Sequence, residues 1–208
     1  MSVEAWCLYF AAVFLLSGTP GPNMLHVLSR SVRFGFRRST AAMAGCGLAV
    51  VVALIASAAG LAAVLTASPL LFEIIRYAGV AYLVWLGIKA WLDKGEDAGL
   101  RPDGTVAGLS SLALFRGGFL VSITNPKLLL FAAAFLPQFI NQSAAKFPQF
   151  AILIVTFAII ETFWYVLYGL GGQKLAGYLK KPALNKLFNR LTGTLFFGFG
   201  FMLLKARH

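Results

Sequence analysis

The sequence predicts an all-α, polytopic membrane protein: six transmembrane helices forming two inverted three-helix repeats, with helices 1 and 4 broken. Three observations carry this expectation. Of 208 residues, 59% are hydrophobic and only 12% charged, against about 25% charged in soluble domains, too few to cover a water-facing surface. The charge-poor stretches are each long enough to span lipid. Proline-containing interruptions recur in two of them, about half a chain apart.

A hydrocarbon core about 30 Å thick needs roughly 20 apolar residues of helix. Runs of this kind lie at 5–28, 41–66, 70–91, 112–139, 150–170 and 187–204. Met1-Ser2-Val3-Glu4 places no Lys or Arg ahead of the first run, so it reads as a span and not as a secretory signal. In the second, Ala41, Gly45, Ala49, Ala53 and Ser57 recur every four residues and make a thin face that a neighbour can approach closely. That neighbour is either another helix of the chain or a second copy, which would make a homodimer. The third run carries Glu73 and Arg76 at i, i+3 near its outer end, an interfacial pair. The sixth is the weakest. Only 191–204 is free of charge, which leaves five spans as the alternative.

Basic residues orient the spans. Arg30, Arg33, Arg37 and Arg38 lie in the first loop, and Lys89, Lys94, Arg101 and Arg116 in the third. Lys174, Lys180, Lys181, Lys186 and Arg190 lie in the fifth. Arg76, Lys146, Lys205 and Arg207 fall on the other side. The positive-inside rule then makes loops one, three and five cytoplasmic, with both termini outside. The net charge of +11 is spread over short loops and not gathered on one face, so nucleic acid is not expected as a partner. Cys7 and Cys46 sit in apolar runs without CxxC spacing and read as small buried hydrophobes. The whole chain, 1–208, is one transmembrane domain. Its first repeat is 1–92 and its second 112–208. The linker at 93–111 holds Asp93, Glu96, Asp97 and Asp103 beside Gly95, Gly99 and Pro102, and reads as cytoplasmic and solvated.

At an offset of 105 residues, Phe14-Leu15-Leu16-Ser17-Gly18-Thr19-Pro20 lies over Phe119-Leu120-Val121-Ser122-Ile123-Thr124-Asn125, and each segment then meets proline. Three spans separate the copies, an odd number, so the repeats are inverted, as the charge bias also requires. Proline lacks the N–H and clashes with the preceding turn, which interrupts the helix at Pro20-Gly21-Pro22 and at Asn125-Pro126. Thr19-Pro20 and Asn125-Pro126 each read as a capping residue followed by proline at the first helical position. Freed backbone groups in lipid are tolerated where they line a cavity or are buried in protein. Paired breaks in inverted repeats therefore point to a transporter's central site, with kinked structural helices as the bland alternative.

Thr19-Pro20-Gly21-Pro22-Asn23 is followed by Gly35, Arg37, Arg38 and Gly45, then by Tyr82-Leu83-Val84-Trp85-Leu86-Gly87. Phe115-Arg116-Gly117-Gly118-Phe119-Leu120 next runs into Asn125-Pro126-Lys127, and Leu136-Pro137-Gln138-Phe139 closes the series. With these pieces in this order, the chain resembles the LysE/RhtB family of bacterial amino-acid exporters over nearly its whole length. Ser39 departs from the pattern, where members often carry glycine, and bears on local packing. The resemblance implies a multi-pass protein of the bacterial inner membrane. It would export neutral or basic amino acids or small relatives, such as threonine, homoserine and homoserine lactone, driven by the proton gradient. It does not fix the substrate.

Lys127 and Glu161 are the two ionisable residues well inside predicted spans, at about 2.5–3.5 kcal/mol each on insertion scales. An amino acid is a zwitterion. Helix N-termini after Pro20 and Pro126, with Lys127, suit its carboxylate, and Glu161 suits its ammonium or a coupling proton. The structural alternatives are that Lys127 caps a carbonyl and that Glu161 pairs with Lys127. The expected substrate-binding set is thus Thr19, Pro20, Gly21, Pro22, Asn23, Asn125, Pro126, Lys127 and Glu161. Ser17, Ser122 and Thr124 add polar groups that either satisfy broken backbone or touch substrate. His26, one turn past the first break, reads as hydrogen-bonded structure, and Trp164, Tyr165 and Tyr168 as packing or interface aromatics.

No HExxH, GxSxG or P-loop is present, so neither an enzyme nor an ATP-driven pump is expected, and no cofactor. A metal-ion exporter would need carboxylate, imidazole or thiolate at the breaks. Neither break contains an acid, and the second holds a lysine. An accessory membrane protein without transport is the remaining alternative. The expected partners are an amino-acid substrate and the lipid bilayer.

Overall fold

Ser2 caps the first helix, its hydroxyl accepting from Ala5 N, with Glu4 in the first turn. The computed structural model describes residues 1–67, 109–141, 143–179 and 182–205, with individual helical positions between 70 and 92. Everything regular among them is helical: α1 (Val3–Gly18), α2 (Pro22–Phe34), α3 (Phe36–Ala67), α4 (Ser111–Ile123), α5 (Pro126–Leu130), α6 (Lys146–Leu179) and α7 (Pro182–Lys205). After α5 the chain continues as a π turn over Phe131–Phe135 and a 3-10 turn over Leu136–Phe139.

By length and composition, Phe36–Gly60 and Lys146–Gly172 can each cross a membrane. Two further spans arise if each bent pair counts as one: α1 with α2, bent by 50°, and α4 with Pro126–Phe139, bent by 53°. The described residues therefore form an all-helical membrane protein with two to four candidate spans. Both interruptions fall where the prolines place them. The weak last run lies within α7, a continuous helix of 24 residues. The Glu73–Arg76 pair, the acidic cluster at 93–103 and most of the third run lie outside the described residues.

Glycine sets the hinges. Gly35 joins α2 to α3 at φ +79°, and Gly172 bends α6 at φ +42°, both in the left-handed region that side chains resist. Ser39, the departure from the family pattern, is fully buried and turns its hydroxyl onto Phe36 O at 2.7 Å.

The small-residue face of α3 is occupied from within the chain. A Cβ on Gly45 would stand 2.0 Å from Phe115 O, and one on Gly118 would stand 2.2 Å from Ala42 O, so α3 and α4 meet backbone to backbone. Cys46 Sγ reaches Gly118 O at 3.3 Å, and Ser57 Oγ donates to Ala132 O at 2.7 Å. The stripe is filled by α4 and the π turn, and so gives no argument for a second copy.

On the other side α6 receives both halves of the first bent pair. Trp6 Nε1 donates to Thr156 and Tyr9 OH to Leu153 O, tying α1 down. Ser31 Oγ donates to Gly169 O, tying down α2. Tyr9, Val13, Leu16, Leu54, Phe131, Leu136 and Phe157 form the core between these elements.

Candidate functional site

A helix carbonyl normally receives the N–H four residues on, and proline has none to give. Pro20 therefore deprives Leu16 O of its donor, and Pro22 deprives Gly18 O. An unsatisfied carbonyl in lipid costs several kcal/mol, and here each finds a side chain. Thr19 covers Leu16 O with its N–H (3.2 Å) and its hydroxyl (2.6 Å), while Lys127 Nζ adds a bond at 2.7 Å. Lys127 Nζ also donates to Thr19 Oγ1 at 2.9 Å and Thr19 O at 3.4 Å. Tyr168 OH donates to Gly18 O at 2.8 Å, and Trp164 Nε1 to Phe14 O at 3.0 Å. The Trp164 ring lies directly on Gly18, where a Cβ would come within 2.6 Å of it. Gly21 leaves room for the Lys127 chain, since its Cβ would stand 3.4 Å from Nζ.

At the second break Asn125 caps α5, its Oδ1 accepting from Lys127 N at 3.0 Å with Pro126 at the first helical position, as the sequence predicts. The first break differs from expectation. Thr19 closes α1 as its C-cap, and α2 starts later, with Gly21 as N-cap and Pro22 at the first position. Thr124 matches Thr19, closing α4 with its hydroxyl on Leu120 O at 2.7 Å. Because glycine has no side chain to offer, no side chain caps the N-terminus of α2, and a helix end of this kind suits an anion.

The two breaks touch. Asn125 Nδ2 donates to Asn23 Oδ1 at 2.9 Å, and Asn23 Nδ2 donates to Ser122 Oγ (3.0 Å) and Tyr165 OH (3.1 Å). Both amides are buried, and Asn23 uses both of its Nδ2 hydrogens and its Oδ1 in this network.

Glu161 completes the site from α6. Only 5% exposed, it is the one buried acid among the described residues. Its Oε1 accepts from Ser17 Oγ at 2.9 Å and the Tyr165 hydroxyl neighbours the carboxylate, while Oε2 is buried without a well-formed hydrogen bond. Glu161 and Lys127 line the same cavity but form no ion pair, so the structural pairing that the sequence left open is not made.

Ser17, Gly21, Asn23 and Asn125 complete the polar lining; Leu16, Met24, Leu128, Phe131 and Phe157 form the apolar side. The cavity measures about 10 Å³, about the space of one water. Anything larger than that enters only if the walls move apart.

Of the expected site residues, Gly21, Asn23, Asn125, Lys127 and Glu161 line the cavity, and Thr19 touches it through Lys127. Pro20, Pro22 and Pro126 shape the breaks without lining it. His26 lies against Gly117 of α4, away from the cavity. Sequence reasoning passed over the hydrogen bonds of Trp164, Tyr165 and Tyr168 to the first break, and the Phe131–Phe157 wall. The spacing Glu161, Trp164, Tyr165 and Tyr168 along one helical face was a usable signal for the three aromatics.

Residues 14–207 match the family described as LysE type translocator. An uncharacterized membrane protein of Vibrio cholerae is 32% identical over 207 residues, covering all of both chains. A homoserine/homoserine lactone efflux protein of Salmonella typhimurium is 34% identical over 209 residues, again covering all of both chains. A leucine efflux protein of Enterobacter sp. is 34% identical over 199 residues, 92% of this chain and 90% of the other. No solved structure matches the chain.

Proposed function

Because the chain belongs to the LysE type translocator family, and is thus a membrane translocator and not an enzyme, we propose that it exports a small amino acid or close derivative from the cytoplasm. Homoserine, homoserine lactone and threonine are the leading substrates. The observation that carries this reading is the pair of opposite charges on one cavity where two helix breaks meet, with Glu161 Oε2 making no well-formed hydrogen bond.

A zwitterion needs an anion site and a cation site a few ångströms apart. Lys127 and the uncapped N-terminus of α2 provide the first. Glu161 Oε2 provides the second, with Ser17 holding the other oxygen in place. The substrate carboxylate competes with Leu16 O and Thr19 O for the Lys127 ammonium, and a charged acceptor makes the stronger bond. Binding therefore loosens α1 from α5 at the moment the site fills, which couples occupancy to movement.

The movement alternates access between two inverted three-helix halves, 1–92 and 112–208, joined through 93–111 on the cytoplasmic side of the inner membrane. The proton gradient drives it, and Glu161 takes the proton on return. Homodimerisation is not required, since the whole site is built from one chain. Counterflow of labelled homoserine in proteoliposomes tests the reading, together with resistance to toxic amino-acid analogues on overexpression. Export predicts counterflow that a protonophore leaves intact while it abolishes uphill transport. An accessory protein gives neither counterflow nor resistance.

A further inference from the structure

The opposite charges account for the two ends of an amino acid but say nothing about its side chain. Once Lys127 and Glu161 hold carboxylate and ammonium, the side chain must face Leu16, Met24, Leu128, Phe131 and Phe157. No second buried acid exists among the described residues to meet a cationic side chain, and an unpaired buried charge is prohibitive. Phe131 and Phe157 are the largest groups of this wall, with ring centroids 5.2 Å apart and each at most 3% exposed.

The wall is held from behind. The Phe131 ring packs on Tyr9 at 6.4 Å and on Phe135 at 4.5 Å. Its backbone opens the π turn, whose Ala132 carbonyl is anchored by Ser57 Oγ of α3. π turns often mark functional positions because the extra residue re-aims a side chain. Phe157 stands one helical turn before Glu161 on α6, so the ammonium site and the wall share a face.

We propose that Phe131 and Phe157 set the side-chain specificity of the site, admitting short neutral side chains, excluding large ones by size and cationic ones by charge. This rests on the export reading above.

The test is counterflow of labelled homoserine, leucine and lysine in proteoliposomes with wild type, Phe157→Leu and Phe131→Leu, and Phe139→Leu as control. Phe139 is buried in the same aromatic core but does not line the cavity. The expected result is that wild type prefers homoserine and rejects lysine. Either wall substitution should raise the leucine-to-homoserine rate ratio about tenfold, the scale of a hydrophobic pocket gaining a few methylenes of room. The control ratio should stay unchanged, and lysine should be rejected throughout. Two variants are used so that one failing to insert leaves the other to decide. Wall variants that transport with an unchanged ratio overturn the proposal, as does a control that shifts equally or a wild type that carries lysine as well as homoserine. These three outcomes leave export intact. A correctly inserted wild type that carries none of the amino acids instead removes the export reading itself.

Discussion

Asn125 Nδ2 donates to Asn23 Oδ1 at 2.9 Å, tying the two helix breaks together beside the bonds of Lys127 Nζ to Leu16 O and Thr19. Each asparagine lies within two residues of a helix-starting proline, and the Asn23 amide carries the connection on to Ser122 of α4 and Tyr165 of α6. The halves of the chain thus meet through a buried side-chain network at the point where both backbones are interrupted.

Substituting Asn23→Ala strands the Asn125 amide, so a loss of about 1–3 kcal/mol is expected from the unsatisfied buried groups. Asn125→Ala should cost a similar amount and also remove the cap of α5. The double variant should lose less than the sum of the singles, with a coupling of about 0.5–3 kcal/mol. Unfolding of the purified protein in detergent measures all three, and strict additivity would show that the amides act independently.

The two buried charges are expected to compensate one another at a distance. Lys127→Met leaves Glu161 as an uncompensated carboxylate, and Glu161→Gln leaves Lys127 with its carbonyl acceptors but no counter-charge. Both singles should abolish homoserine efflux while inserting. The double variant Lys127→Met/Glu161→Gln should be more stable than Lys127→Met alone, since no net charge stays buried, yet remain inactive. Thermal stability and efflux, measured side by side, separate the two roles.

Tyr168→Phe removes one hydroxyl and should cost about 1–3 kcal/mol, because Pro22 cannot supply the N–H that Gly18 O then lacks. A fall in the melting temperature of the purified protein is the expected reading, without loss of insertion.

At Gly45 and Gly118 the α3–α4 seam should tolerate nothing larger than glycine. Gly45→Ala and Gly118→Ala each drive a methyl into a backbone carbonyl, at a cost of about 1–3 kcal/mol or more. Gly47→Ala, with nothing within 4 Å of its Cβ, should be neutral or slightly stabilising. Melting temperatures of the three variants check this.

Much of this site was legible in the residues. Prolines announce their own interruptions because the missing N–H is a local property, and Lys127 and Glu161 stand out because lipid makes every charge conspicuous. Asn125 was readable as a cap for the same local reason. What stayed hidden depends on partners far along the chain. Nothing near Pro20 reveals that Lys127 supplies the donor missing at Leu16, 111 residues away. The spacing Thr19-Pro20 read as a cap, yet the second proline moved the start of α2 to Pro22, because Gly21 adopts extended backbone at φ −133° and ψ 178°. Likewise, the every-fourth small residues of α3 fixed a close approach without saying to what. Only the packing of Gly45 on Phe115 shows that the neighbour is α4.

Counterflow of labelled homoserine and labelled homoserine lactone into vesicles containing wild type, Lys127→Met or Glu161→Gln is the most direct measurement. The lactone keeps the ammonium but has no free carboxylate. Loss of Glu161 should therefore stop both substrates, whereas loss of Lys127 should stop homoserine far more than the lactone. Should both inserted variants carry homoserine at the wild-type rate, the charged cavity between the breaks is not where the substrate binds.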